Sequence, residues 1–267
     1  MGQNQEQISW QKLLAGLYDR KGPVDIYGLG GPAISFAAAQ IYRHHRVPLL
    51  LVAATAKAAE RLKEELGFFL KDGAPPILYF PPYNLLPFKF MAYHNETAGR
   101  RVRTLYQIME ATQAPVVVTT VGGLMQQLIP KKALAQYAEL VVAGEELDRD
   151  ALVQKLVAGG YSRAAIVEES GDFALRGGIL DLFSPLHDDP LRIESLGDVV
   201  ESIRLFSADS QRTIRNFDEV VILPAREVIM TPAELNSVLG RLRARAAELG
   251  QPVTTTRAMV QRMKTEG

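Results

Sequence analysis

Apolar and polar positions alternate with two different textures along this chain, and the change falls near Leu140. Before it, four short apolar runs at 24–28, 48–54, 76–80 and 115–120 are separated by stretches of helical spacing near 31–45, 56–70 and 96–111. In 56–70, Ala59, Leu62, Leu66 and Leu70 recur at helical intervals, while Lys57, Glu60, Lys63 and Glu64 take the other side. That is the pattern of an amphipathic surface helix. Uninterrupted apolar runs alternating with such helices predict a parallel sheet covered on both faces. The segment 80–96, dense in Pro and aromatics, predicts an ordered loop.

After Leu140 the pattern predicts one short helix within 146–161, closed by Gly159 and Gly160. A chain of strands follows at 164–169, 172–183, 190–195, 199–206 and 219–225, joined by linkers at 184–190 and 207–213 that are full of turn formers. This is an antiparallel α+β unit set after an α/β half-domain. The pattern then returns to helix at 231–250, with Thr231 as N-cap, Pro232 at the first helical position and Glu234 completing a capping box. Leu235, Val238, Leu239 and Leu242 form its buried stripe, and Gly250 ends it. A second helix at 254–267 runs to the last residue with no strand to receive it, so the chain is expected to be cut from something longer.

Composition narrows the function classes. At 267 residues, 47% hydrophobic and 22% charged, the chain can bury a real core and has room for two domains. Lys plus Arg and Asp plus Glu number 30 each, giving a formal net charge of +0. A general polyanion binder is usually basic, so any nucleic-acid contact must be local. The candidate is 99–103, with Arg100, Arg101 and Arg103, whose simpler explanation is a solvated first turn of helix. There are no cysteines, hence no disulfides or thiolate metal sites. With no membrane-length apolar run and no leader-like start, the chain reads as a soluble cytoplasmic protein.

The stretch "VDIYGLGGPAISFAAAQIY" has the outline of a phosphate-binding loop without its working residue. In the motif G-x-x-x-x-G-K-[ST], backbone amides cradle the phosphates, Lys neutralises them and the hydroxyl holds magnesium. Counted from Gly28, and passing Gly31, the second Gly falls on Ala33, the Lys on Ile34 and the hydroxyl on Ser35. Ile34 is expected to be a core residue of a packed helix, and the loop a plain strand-to-helix turn. His44, His45, His94 and His187 are scattered without metal spacing, and no nucleophile elbow is present. Glu168-Glu169 and Asp188-Asp189 sit in turn-like contexts. No catalytic residue, metal or cofactor is assigned.

"SGDFALRGGILDLFSP" is more informative. Phe173 and Leu175 share one strand face, whereas Leu180 and Leu182 alternate with opposite parity, which a glycine bulge at Gly177-Gly178 would explain. Arg176 and Asp181 then emerge together on the other face. Arg192 and Glu194 project from the next strand, and Arg204 from the one after. The result is a band of arginines with interspersed carboxylates, which pattern alone does not distinguish from a solvated sheet surface.

With "GDFALRGGILDLFSP…DPLRIESLGDVVESIRLFSADSQRT", "LPFKFMAYHNETAGRRVRTLYQI" and "VVVTTVGGLMQQLIPKKAL", the chain resembles the UvrB-like N-terminal modules of bacterial transcription-repair coupling factors over nearly its whole length. The resemblance implies a helicase-like α/β domain with a degenerate P-loop, built from 1–137 (domain 1a) and the start of domain 1b at 223–267. The α+β domain 2 is inserted at 138–222. It implies a module that binds without hydrolysing, since UvrB keeps an intact loop and the coupling factors have lost theirs; their ATP-dependent DNA translocase lies downstream. The segment after "ILYF" is also short for a strand-separating hairpin. In this family the inserted domain docks on UvrA and is masked by the C-terminal region until the motor engages stalled RNA polymerase. Contacts with that polymerase and with DNA belong to the rest of the chain. By position, the UvrA-binding residues fall on Arg163, Arg176, Arg192 and Glu194. Two positions depart: a UvrB arginine falls on Ala174 and a coupling-factor aromatic on Leu196. The expected function is a non-catalytic adaptor in transcription-coupled excision repair. The rivals are a nucleotide-dependent DNA-remodelling enzyme and a DNA-binding module.

Overall fold

The computed structural model describes residues 14, 16–17, 22–71, 75–83, 95–229 and 232–265. The loop expected at 80–96 falls mostly outside these, as do Thr231 and His94. Among the described residues the chain forms two compact units, one from the segments up to 83 with 107–126, the other from 95–106 with 127–265.

The first unit is α/β. Helix α1 (Pro32–His45) leads to strand β1 (Leu49–Ala53), helix α2 (Ala56–Phe69) and strand β2 (Ile77–Phe80). Helix α3 (Asn95–Met109), most of which, 95–106, belongs to the second unit, is followed by strand β3 (Val116–Thr120) and the short helix α4 (Val121–Met125), which complete the first. The sheet order is β1-β3-β2, all parallel, with Leu49 and Ile77 both in register with Val116. Thr55 caps α2 by accepting from the Ala58 amide at 3.2 Å. One sheet face packs on α1 and α2 through Ala38, Ala39, Tyr42, Ala59, Leu66, Val116 and Val118. Tyr42 donates to the Ala114 carbonyl at 2.8 Å, so its buried hydroxyl is satisfied.

Three expectations fail here. Residues 24–28 form no strand; the backbone from 22 to 30 is irregular. Apolar character at 24–28 came with a run of only a few residues before a glycine cluster, too little to fix a ladder position. Coverage of both sheet faces also fails at β1, where Leu50 and Val52 are 54% and 45% exposed on the side away from the helices. Ile34 is 47% exposed rather than core, because the buried side of α1 runs through Ser35, Ala38, Ala39 and Tyr42.

The second unit is α+β. Helix α5 (Lys131–Tyr137) leads into strand β4 (Glu139–Val142) and helix α6 (Arg149–Ala158). Asp148 caps α6, accepting from the Ala151 amide at 2.9 Å. Six strands follow: β5 (Ser162–Arg163), β6 (Asp172–Arg176), β7 (Ile179–Leu182), β8 (Leu191–Leu196), β9 (Val199–Phe206) and β10 (Thr213–Phe217). They form one sheet in the order β10-β9-β8-β7-β6-β5, antiparallel except for the β5–β6 pair. Strand β11 (Glu219–Ile222) returns to pair antiparallel with β4. Leu152 and Leu156 of α6 pack with Phe173, Leu180, Leu182, Leu191, Ile193 and Ile203. Each such leucine contributes about 1.5–3 kcal/mol by leaving water.

Helices α7 (Pro232–Glu248) and α8 (Val253–Thr265) complete the unit. Leu239 is buried and Leu235, Val238 and Leu242 half-buried, as the stripe predicts. Gly250 ends α7 at φ +64°, with Gly250 N donating to Ala247 O and Gln251 N to Ala246 O, the paired bonds of a Schellman motif.

Here too the structure corrects the sequence. Residues 164–169 are not a strand; the strand is the two-residue β5 just before them. There is no bulge at Gly177-Gly178. These glycines are the two-residue turn of a hairpin, with Arg176 in register with Ile179 and Phe173 with Leu182. A two-residue turn reverses chain direction and gives the same parity shift as a bulge would. Strand β10 was not anticipated, because its residues are exposed along nearly their whole length.

Candidate partner-binding face

The loop at Gly28 is the first place to look for chemistry. Gly28 and Gly31 take φ values of +82° and +53°, a backbone that side chains rarely adopt. The groups a phosphate loop would work with are otherwise engaged. Ser35, fully buried, donates to Glu65 Oε2 at 2.5 Å, and Arg61 Nε donates to Glu65 Oε1 at 2.7 Å. The Ser35 hydrogen bond, then Arg61, holds the Glu65 carboxyl below its ordinary 4.5. The hydroxyl that would serve magnesium is therefore committed to a carboxylate, and an exposed isoleucine occupies the lysine position. Among the described residues, no group of three His, Asp or Glu could hold a metal ion. No helix there is long and apolar enough to cross a membrane.

The basic segment 99–103 does not form an open cationic patch. Arg101 has no exposed surface and is bidentate on Glu227, with Nε–Oε2 2.5 Å and Nη2–Oε1 3.3 Å. Arg103 pairs with Asp188 at 2.6 Å and Arg100 with Glu96 at 2.6 Å. The candidate DNA contact is thus corrected for Arg101, which is interior, and all three guanidiniums already face carboxylates.

The arginine–carboxylate band lies on the sheet face opposite α6. The register puts Arg176 beside Ile179, Ile179 beside Glu194 and Glu194 beside Ser202. The adjacent row runs Ala174, Asp181, Arg192, Arg204. Directly paired positions share a face, so Arg176, Arg192 and Glu194 stand together. Leu196, two residues beyond Glu194, joins them and is 72% exposed. Arg163 does not: its register partner is Phe173, a core residue, so it stands in the opposite phase on the edge strand β5.

The charges on this face are interlocked. Arg192 forks onto Asp181 with Nε–Oδ1 2.7 Å and Nη2–Oδ2 2.8 Å, reaches Gln211 Oε1 at 3.1 Å, and lies 4.4 Å over the Phe206 ring. Asp181, only 6% exposed, holds the Arg192 guanidinium above its ordinary range. Glu194 takes a hydrogen bond from Ser202 at 3.1 Å and pairs with Arg204. Arg192 and Arg204, directly opposite like charges, are each neutralised by a different carboxylate. Arg176 donates to the Ala165 carbonyl and, among the described residues, has no carboxylate partner. Gly178 allows the close approach that seals the hairpin end: Ser195 N donates to Gly178 O at 2.8 Å, and a Cβ on Gly178 would lie 2.4 Å from Ser195 O. Sequence reasoning missed Ile179, Phe206 and Gln211 as members of this face. Reading Gly177-Gly178 as a turn would have placed Ile179 beside Arg176.

The sheet thus has one face packed on a helix and the other carrying ordered arginine–carboxylate pairs. Residues 140–228 match the family described as the UvrB interaction domain. Over 241 residues the chain is 34% identical to the transcription-repair-coupling factor of Myxococcus xanthus, covering 89% of this chain and 20% of that protein. The corresponding protein of Escherichia coli (strain K12) is 33% identical over 199 residues, 74% of this chain and 17% of its own. That of Bacillus subtilis (strain 168) is 28% identical over 229 residues, 86% of this chain and 19% of its own. The chain is thus a relative of the transcription-repair-coupling factors, and spans about a fifth of their length.

Proposed function

We propose that this chain is a non-catalytic adaptor module of a transcription-repair coupling factor, and that it recruits UvrA to RNA polymerase stalled at DNA damage. The observation that carries this is the built face of the 140–228 segment, where Arg176, Arg192, Glu194 and Leu196 share one surface within an interaction-domain match. Arg163 contributes from the sheet edge. Contacts with polymerase and DNA, and ATP-driven translocation, belong to the rest of the protein, whose C-terminal region masks this face until recruitment. In this reading 1–137 and 223–267 are a split helicase-like domain and 138–222 its insertion; the parallel sheet and glycine turn of the first unit support the helicase-like part, whereas 127–137 and 223–265 group with the insertion in the second compact unit. The rival, a nucleotide-dependent DNA-remodelling enzyme, is disfavoured by Ile34 and by the Ser35–Glu65 bond.

Calorimetric titration with purified UvrA tests the proposal. Direct binding without nucleotide is expected. Arg176→Ala should weaken it about thirtyfold, equivalent to roughly 2 kcal/mol, if Arg176 is an anchor. Arg163→Ala, at the rim, should cost less than about 1 kcal/mol. No binding by the wild-type chain would refute the assignment.

A further inference from the structure

Helices α7 and α8 are joined through residues 249–252 and leave between them a groove of about 360 Å3. Arg243 and Ala247 line it from α7, and Val253, Arg257 and Val260 line it from α8, with Gln251 at the turn. Val260, 6% exposed, forms its floor.

This helix pair is locally basic in a chain of formal net charge +0. Between 232 and 262 stand five arginines, Arg241, Arg243, Arg245, Arg257 and Arg262, against two glutamates, Glu234 and Glu248. Arg245 pairs with Glu248 at 2.8 Å. Among the described residues Arg243 and Arg257 make no ion pair, and both line the same groove, one from each helix. A cleft lined by one sign of charge concentrates ions of the other sign, so the occupant it favours is anionic.

The walls decide the class of occupant. Arg243, Gln251, Val253 and Arg257 are exposed, so the groove cannot enclose a small molecule over most of its surface, as a ligand pocket does. A nucleic-acid backbone is met by several cations in a row. Arg241, two residues before Arg243, stands about 160° away round the helix, so no such row forms here. What fits is a segment lying across the groove. One apolar side chain of that segment enters over Ala247 and Val260, and carboxylates on either side of it meet the two guanidinium forks.

We propose that the α7–α8 groove is a docking site for an acidic segment of a partner protein, with one leucine-sized side chain between flanking carboxylates. Arg243 and Arg257 hold the carboxylates, and Ala247 leaves the room that the apolar side chain fills. The groove lies outside the matched segment 140–228 and goes beyond the UvrA reading without resting on it.

The test titrates the whole chain with the acidic heptapeptide Asp-Glu-Glu-Leu-Glu-Glu-Asp and follows amide NMR signals, which register weak binding. Saturable shifts centred on 243–260 are expected. Arg243→Gln and Arg257→Gln should each weaken binding about tenfold. Arg241→Gln makes the same charge change on the other side of α7 and should weaken it less than about twofold. Ala247→Phe keeps every charge, fills the groove and should abolish the shifts. All four side chains are exposed, so the melting temperatures should stay near that of the wild type. Absence of saturable shifts would overturn the proposal. Equal binding of a peptide with serine in place of leucine, or equal losses in Arg241→Gln and Arg243→Gln, would show an unspecific charge effect and overturn it too. Tighter binding of a short DNA duplex that survives Ala247→Phe would reassign the arginines to phosphate contacts, against the proposal. UvrA affinity should be unchanged in Arg243→Gln and Ala247→Phe; a loss there would overturn the separateness of the two sites, whereas failure of the wild-type chain to bind UvrA bears only on the UvrA reading.

Discussion

Arg101→Ala should destabilise the second unit severely, although the residue sits in a basic segment that invites a surface reading. Its side chain has no exposed surface, and that of Glu227 is 6% exposed. Two hydrogen bonds join them, and both residues make further interactions. Removing the arginine takes a charge and two hydrogen bonds away from a carboxylate in a water-poor site, a change that costs about 3–5 kcal/mol. For a unit of this size, that is a fall in melting temperature on the order of 6–20 °C. Arg100→Ala, one residue earlier, removes a pair whose partners are 58% and 75% exposed and should cost less than about 0.5 kcal/mol. Calorimetric melts of the two variants beside the wild type measure the contrast. Arg101→Met with Glu227→Met should recover much of the loss, since uncharged side chains of similar length fill the site without a stranded charge. A melting temperature for Arg101→Ala within about 2 °C of wild type, with weakened duplex DNA binding, would refute the structural role and restore the segment as a nucleic-acid contact.

The remaining expectations concern the hairpin, acid stability and nucleotide. Gly178→Ala should destabilise the sheet and weaken UvrA binding, because its Cβ would meet Ser195 O at 2.4 Å; Gly177→Ala, with open space but φ +60°, should cost only about 1 kcal/mol in the same denaturant titration. Burial, then Arg103 and Arg215, holds the His187 imidazole below its ordinary 6.5, so the folded state resists protonation. Stability should be complete above 6.5 and fall as pH drops below it, and His187→Gln should flatten that slope in melts across the range. Magnesium-ATP should give no thermal protection and no turnover, and Ile34→Lys alone should not restore either, because Ser35 remains on Glu65.

Much of the architecture was legible because burial imposes period. The three runs that became β1, β2 and β3 and the stripe of α2 were readable, since each is tied to a packed face. The strand expected at 24–28 failed because apolar residues before a glycine cluster do not by themselves supply ladder partners. Strand β10 was invisible for the complementary reason: an edge strand exposed on both faces carries no alternation to read. The hairpin at Gly177-Gly178 was mistaken for a bulge because parity is all a sequence offers, and both devices shift it by one.

The candidate face was legible only in outline, and the missing part decides how it works. Alternation placed Arg176, Arg192 and Glu194 on one surface, and the register agrees. Alternation cannot say which charges cancel, because that depends on pairing between strands far apart in sequence, such as Asp181 with Arg192 and Glu194 with Arg204. Once those pairs are drawn, equivalent arginines become unequal. Arg192 is fixed by three hydrogen bonds and an aromatic ring, so replacing it alone mixes a stability loss with any contact loss. Arg176 is held by a backbone carbonyl only, and its removal strands no carboxylate. Loss of binding in Arg192→Ala therefore does not identify a contact, whereas loss in folded Arg176→Ala does. Among the described residues Arg192 and Arg204 are each paired with a carboxylate, whereas Arg176 on the same face is not.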